Sequence, residues 1–136
     1  MNTNKIISGG LIAGLVMNIF DYIINVPWLG EQWMAGSLTR GIDPGSVPLG
    51  GAGWVIVDFI VGIFLVWLYA AVRPRFRPGP KTALIAGFAT WFLGHLILFS
   101  HWFMGVFPIG VIGTSSLGGL VSVLVASLVG CKMYKE

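Results

Sequence analysis

Two aspartates and a histidine fall inside apolar stretches of this chain: Asp21, Asp58 and His95. A polar or ionised group in such surroundings costs free energy unless it is paired or hydrated, so these three are the first candidates for function. Two carboxylates and an imidazole admit three kinds of chemistry. They can tie helices together. They can form an outward-open site for a ligand or divalent cation, or His95 can hold haem iron. They can also line a path for a proton, cation or small polar solute. Asn18, Asp21 and Asn25 are spaced three and four apart and so share one helix face, with Gly14 a turn below. Trp54, Asp58, Gly62, Leu65 and Tyr69 make a matching stripe, and Thr114, Ser115 and Ser116 open the last apolar segment. His95 and His101 are six residues apart, about 120° around a helix, so they do not face one ion together. Asp21, Asn25, Asp58 and His95 are therefore the candidate ligand or ion-binding residues. Asn18, Thr114, Ser115 and Ser116 are read as a packing polar network. The spacing identifies no metal, and neither haem nor a divalent cation is favoured.

The elements that must hold these residues are membrane helices. Of 136 residues, 56 % are hydrophobic and only 10 % charged, against roughly 25 % charged in soluble domains. About 20 apolar residues span ~30 Å of hydrocarbon. Four segments qualify: Ile6–Trp28, Gly53–Val72, Thr82–Met104 and Ile109–Gly130. The expected fold is all-α, a single four-transmembrane-helix bundle over 1–136. Ile6–Trp28 exceeds the apolar core of a cleaved signal and carries Asp21, so it is read as a retained helix. Residues 30–40 read as a short helix lying at the interface, with Leu29, Trp33 and Met34 near one face. Leu11-Ile-Ala-Gly14 recurs as Leu84-Ile-Ala-Gly87, a weak hint of a two-plus-two repeat.

Basic residues set the expected orientation. With the N-terminus inside, the inner side holds Lys5, Arg73, Arg75, Arg77, Lys81, Lys132 and Lys135, and the outer side only Arg40. Both termini are then cytoplasmic. Arg73, Arg75, Arg77 and Lys81 form a cytoplasmic basic loop, whose prolines are expected to stop the second helix. Trp28, Trp33, Trp54 and Trp102 form an outer aromatic belt. At 1.5 Å per residue, Asp21 lies ~10 Å, Asp58 ~8 Å and His95 ~13 Å below the outer ends of their helices. The polar residues thus gather in the outer half of the bilayer.

Ser8-Gly-Gly-Leu-Ile-Ala-Gly14, Leu68-Tyr-Ala-Ala-Val-Arg-Pro-Arg-Phe-Arg-Pro-Gly-Pro-Lys-Thr-Ala83 and the closing Tyr134-Lys-Glu resemble a group of small four-span bacterial membrane proteins. The resemblance implies a bacterial inner membrane and carries no activity.

No nucleotide loop, nucleophile elbow or His-Glu-x-x-His stretch is present. The short loops leave no room for a soluble catalytic domain, and nothing in the charge pattern suits nucleic acid. The lone Cys131 excludes an internal disulfide. The sequence favours a non-catalytic accessory or structural subunit, packed by glycine-rich faces against other membrane subunits or itself. A cation, proton or solute binder or transporter is the alternative, and a haem-binding redox subunit the second.

Overall fold

The computed structural model describes residues 1–46 and 48–134, the side chain of Pro44 excepted. Lys135, counted above among the inner basic residues, lies outside them. The order of elements is α1 (Thr3–Ile23), α2 (Gly30–Leu38), α3 (Gly50–Phe76), α4 (Pro80–Phe103) and α5 (Ile109–Lys132). With the π-helical turn Ile24–Trp28 that continues α1, four helices of 24 to 27 residues are long and apolar enough to cross a membrane. This is a multi-pass membrane protein. Helices suit the apolar solvent because each satisfies its own backbone hydrogen bonds.

Local chemistry fixes the helix ends. Asn2 caps α1, its side-chain oxygen accepting from the Lys5 N–H at 3.2 Å. Pro80 opens α4, where its missing N–H costs nothing. The prolines after α3 act differently from expectation. Pro74 lies inside the helix and does not end it. So close to the terminus, its ring removes only a late hydrogen bond. The helix stops at Phe76: Arg77 precedes Pro78, which disfavours a helical ψ, and its ψ is +154°, while its φ of +68° lies in the left-handed range and has no such cause.

The helices form an up-down-up-down bundle. α1 packs on α3 and α5, and α4 packs on α5 and, less extensively, α3, so all these neighbours are antiparallel. Glycine lets backbones touch. A methyl group on Gly10 would lie 2.4 Å from Ile63 Cα, and one on Gly9 would lie 2.7 Å from the Gly130 carbonyl oxygen. Met17, Leu65, Val66, Ala86 and Ala126 fill the remaining core. The repeated tetrapeptide occupies matching places. Ala13 and Ala86 are both buried, and Gly14 and Gly87 each face the next long helix in sequence, at Phe59 and Ser127.

One end of the bundle holds both Asn2 and Tyr134. The Asn2 N–H donates to Tyr134 Oη at 3.2 Å. The Tyr134 ring meets Tyr69 edge-on and lies under the Arg73 guanidinium. The described basic residues other than Arg40 collect at this basic end. At the opposite end, α2 packs onto the α4–α5 turn. Gly36 and Trp33 close on Phe107, with the rings of Trp33 and Phe107 4.6 Å apart and nearly perpendicular. Trp33 is therefore half-buried and anchors α2, whereas Trp28, Trp54 and Trp102 are exposed. Met34 points away from Leu29, which is buried.

Candidate functional site

The polar side chains divide into interhelical ties and groups without a tie. Asn25, in the π-helical turn, is a tie. Its side-chain oxygen accepts from Ser115 Oγ on α5 and Trp33 Nε1 on α2, both at 3.2 Å. Asn18 is another, donating to the Gly14 carbonyl at 2.9 Å and across to the Val55 carbonyl of α3 at 3.3 Å. On the far side of the bundle, Trp91 Nε1 donates to the Ser116 carbonyl at 2.9 Å. Interhelical contacts of this kind average about 0.6 kcal/mol, so they fix geometry more than they add stability.

His95 belongs with Trp91. Its Nδ1 lies 3.0 Å from the Trp91 carbonyl, and its ring stacks on the Trp91 indole at 5.3 Å. Nε2 points at Gly119, where an added methyl would sit 2.5 Å away. The imidazole thus fills a notch made by a missing side chain. A haem iron does not fit on that nitrogen while the notch is closed. His101 and Ser100 bond to the Ile97 carbonyl of their own helix. Thr114 is half-buried on α5.

Asp21 and Asp58 are different. Asp21 is half-buried, and the Ser122 hydroxyl of α5 faces it, though too loosely to close a hydrogen bond. Ser122 itself has no exposure at all and no closed hydrogen bond among the described residues. Asp58 on α3 is half-buried within electrostatic range of Asp21. Its stripe is only partly inward: Gly62, Leu65 and Tyr69 are buried, but Trp54 is 73 % exposed. Neither carboxylate has a lysine, arginine or histidine beside it among the described residues. Directly above Asp21 the helix widens into the π-helical turn with Pro27 inside it. Such turns leave backbone carbonyls less completely bonded and recur at functional sites.

The four candidate ligands therefore do not form one site. Asp21 and Asp58 lie within electrostatic range on α1 and α3 but are offset along that seam by nearly two turns, roughly 9 Å at 1.5 Å per residue, because Asn18 meets Val55 and Gly14 meets Phe59. Asn25 is a tie, and His95 sits between α4 and α5. Among the described residues no three His, Cys, Asp or Glu side chains converge as a metal ion requires. Sequence reasoning gave Ser122 no part in the site and did not single out Trp91, Phe107 or Gly119. Ser122 becomes visible only once α1 and α5 are known to be antiparallel neighbours, which puts it level with Asp21.

The bundle packs differently toward its two ends. Toward the basic end, α1, α3 and α5 touch through backbone at Gly9, Gly10, Gly62 and Gly130. Toward the opposite end lie the π-helical turn, Asn25 and Ser115. Comparison with protein-family models, curated proteins and solved structures found no match.

Proposed function

We propose that this chain is a multi-pass protein of the bacterial inner membrane that binds a proton or small monovalent cation at Asp21 and Asp58. Both termini face the cytoplasm, α2 lies at the outer interface, and the cation enters from the outer half. One observation carries this reading: two carboxylates stand within electrostatic range of each other inside membrane-crossing helices, with no cationic side chain beside them among the described residues. Their charge in a medium of low dielectric demands a partner, and a cation or proton from outside is the remaining source. The buried Ser122 hydroxyl of α5 adds a polar group beside Asp21. Glycine-mediated backbone contacts on the basic side support entry from the other end. The positive-inside bias and the resemblance to small four-span bacterial proteins support the orientation and the membrane. Titrating purified protein with sodium or potassium chloride, and separately with acid, while recording heat and protons bound or released tests the reading. Asp21→Asn with Asp58→Asn abolishes both signals. Signals identical in this double variant and the parent protein would dispose of it.

The accessory-subunit reading keeps one specific support. A methyl group on Gly94 of α4 or on Gly110 or Gly113 of α5 would meet nothing within 4 Å among the described residues, leaving places where another helix can approach closely. Gentle extraction of the native membrane tests it: a reproducible partner supports it and a bare monomer does not.

A further inference from the structure

The basic end carries a groove that the carboxylate site does not use. Tyr69 of α3, Gly79 and Pro80 at the start of α4, Ala83, and Leu128, Cys131 and Lys132 of α5 enclose about 340 Å³. Its walls are mostly apolar. The contact of Gly87 with Ser127, one turn further along, brings α4 and α5 together and closes the space off from the core. The hydroxyl of Tyr69 already accepts the Gly79 N–H at 3.2 Å, so it fixes the wall and leaves little capacity for a ligand. Lys132 is exposed on the rim, and Arg77 and Lys81 flank the Gly79–Pro80 wall in sequence.

We propose that this groove binds one anionic phospholipid. Its phosphate is held at Lys132, and the upper part of one acyl chain lies along Ala83 and Leu128.

Three observations lead to that occupant. The groove lies at the basic end, beside the ends of the apolar helices α3, α4 and α5. Its rim is cationic and its walls apolar, matching a molecule with an anionic head on an apolar chain. Its volume is near the bottom of the range for ligand pockets, about 300–1,000 Å³. That suits one portion of a lipid whose remainder stays in the bilayer. A free phosphate would meet the same lysine but leave the apolar walls uncovered. Basic pockets between membrane helices on the cytoplasmic side are general sites for anionic headgroups. The inference is independent of what Asp21 and Asp58 bind.

The test is native mass spectrometry of the full chain in detergent, supplied with dioleoylphosphatidylglycerol, dioleoylphosphatidylcholine or inorganic phosphate. One phosphatidylglycerol per chain should be retained in preference to phosphatidylcholine. Lys132→Ala should weaken retention about fivefold, the effect of one basic residue near an anionic surface. Ala83→Phe, which fills the groove and leaves every charge in place, should weaken it at least as much. Arg75→Ala removes a basic residue that does not line the groove and should leave retention unchanged. Lys132 is exposed, so its variant also keeps the test decisive should Ala83→Phe fail to fold. Equal retention of both lipids overturns the proposal, as does equal loss on Arg75→Ala and Lys132→Ala, which would mean diffuse attraction only. Competition by inorganic phosphate alone would reassign the site to a soluble anion.

Discussion

Replacing Gly62 with alanine should be among the most damaging single-methyl changes in this protein. The added carbon would lie 2.3 Å from the Gly10 carbonyl oxygen and 2.6 Å from the Gly14 nitrogen, where ordinary contact begins near 3.4 Å. Both neighbours are backbone, so no rotamer change relieves the clash. Helices α1 and α3 must part by roughly 1 Å, and a gap of that size forfeits a quarter to a half of each pairwise dispersion well along the seam. Overpacking typically costs 1–3 kcal/mol, and a clash with two backbones belongs at the upper end, about 3 kcal/mol. Cys131 supplies the assay, being the only cysteine and buried. A thiol-reactive dye then reports unfolding as sodium dodecyl sulfate is added to a mild detergent. Gly94→Ala is the control, since its methyl meets nothing within 4 Å, and its effect should stay within about 0.5 kcal/mol. If the two variants unfold together, the close approach of α1 and α3 is refuted.

Three further outcomes follow from the same contacts. Asn25→Ala breaks two interhelical ties and should cost about 1 kcal/mol at ~0.6 kcal/mol each; an unchanged midpoint in the dye assay would deny them. Phe107→Ala removes the ring on which Trp33, Gly36 and the Arg40 guanidinium rest. Limited proteolysis across α2 should quicken several-fold, and a constant cleavage rate would mean that α2 is held some other way. Gly119→Ala should cost about 1–3 kcal/mol by driving His95 from its notch. Adding His95→Ala should restore part of that loss, whereas strictly additive effects would show that the imidazole does not occupy it.

Much of the fold is legible in the sequence because lipid imposes a simple rule. A segment of apolar residues long enough to cross must be a helix, and all four appear within a few residues of the expected bounds. Residue 74 shows where local rules fall short: a proline ends a helix only when its position makes the lost hydrogen bond expensive, and here the helix runs on to Phe76 and breaks at Arg77, before Pro78. Trp33 shows a different gap. An aromatic residue near a membrane boundary reads as part of a belt until a partner such as Phe107 arrives from a segment seventy-odd residues away.

The candidate site was half legible for the same reason. Spacing places Asn18, Asp21 and Asn25 on one face, whereas in the structure Asn18 reaches α3 and Asn25, in the π-helical turn, reaches α5 and α2. Spacing says nothing about which helix stands opposite. That missing relation separates His95 from the carboxylates, gives Asn25 to Ser115 and Trp33, and sets Ser122 beside Asp21. Glycine was legible as a mark of close packing but not of where. Most of the glycine faces expected to receive other subunits are occupied within the chain, at Ile63, Phe59 and Gly130, leaving Gly94, Gly110 and Gly113 open.

Labelling with dicyclohexylcarbodiimide, which modifies protonated carboxyls in apolar surroundings, measures the state of the two aspartates directly. Peptide mapping should find the label on Asp21 or Asp58 and not on the exposed Glu31 and Asp43. Sodium or potassium should suppress it if an alkali cation occupies the site, and only a change of pH should do so if a proton does. Labelling of neither aspartate under any of these conditions would contradict a cation-binding pair inside the membrane.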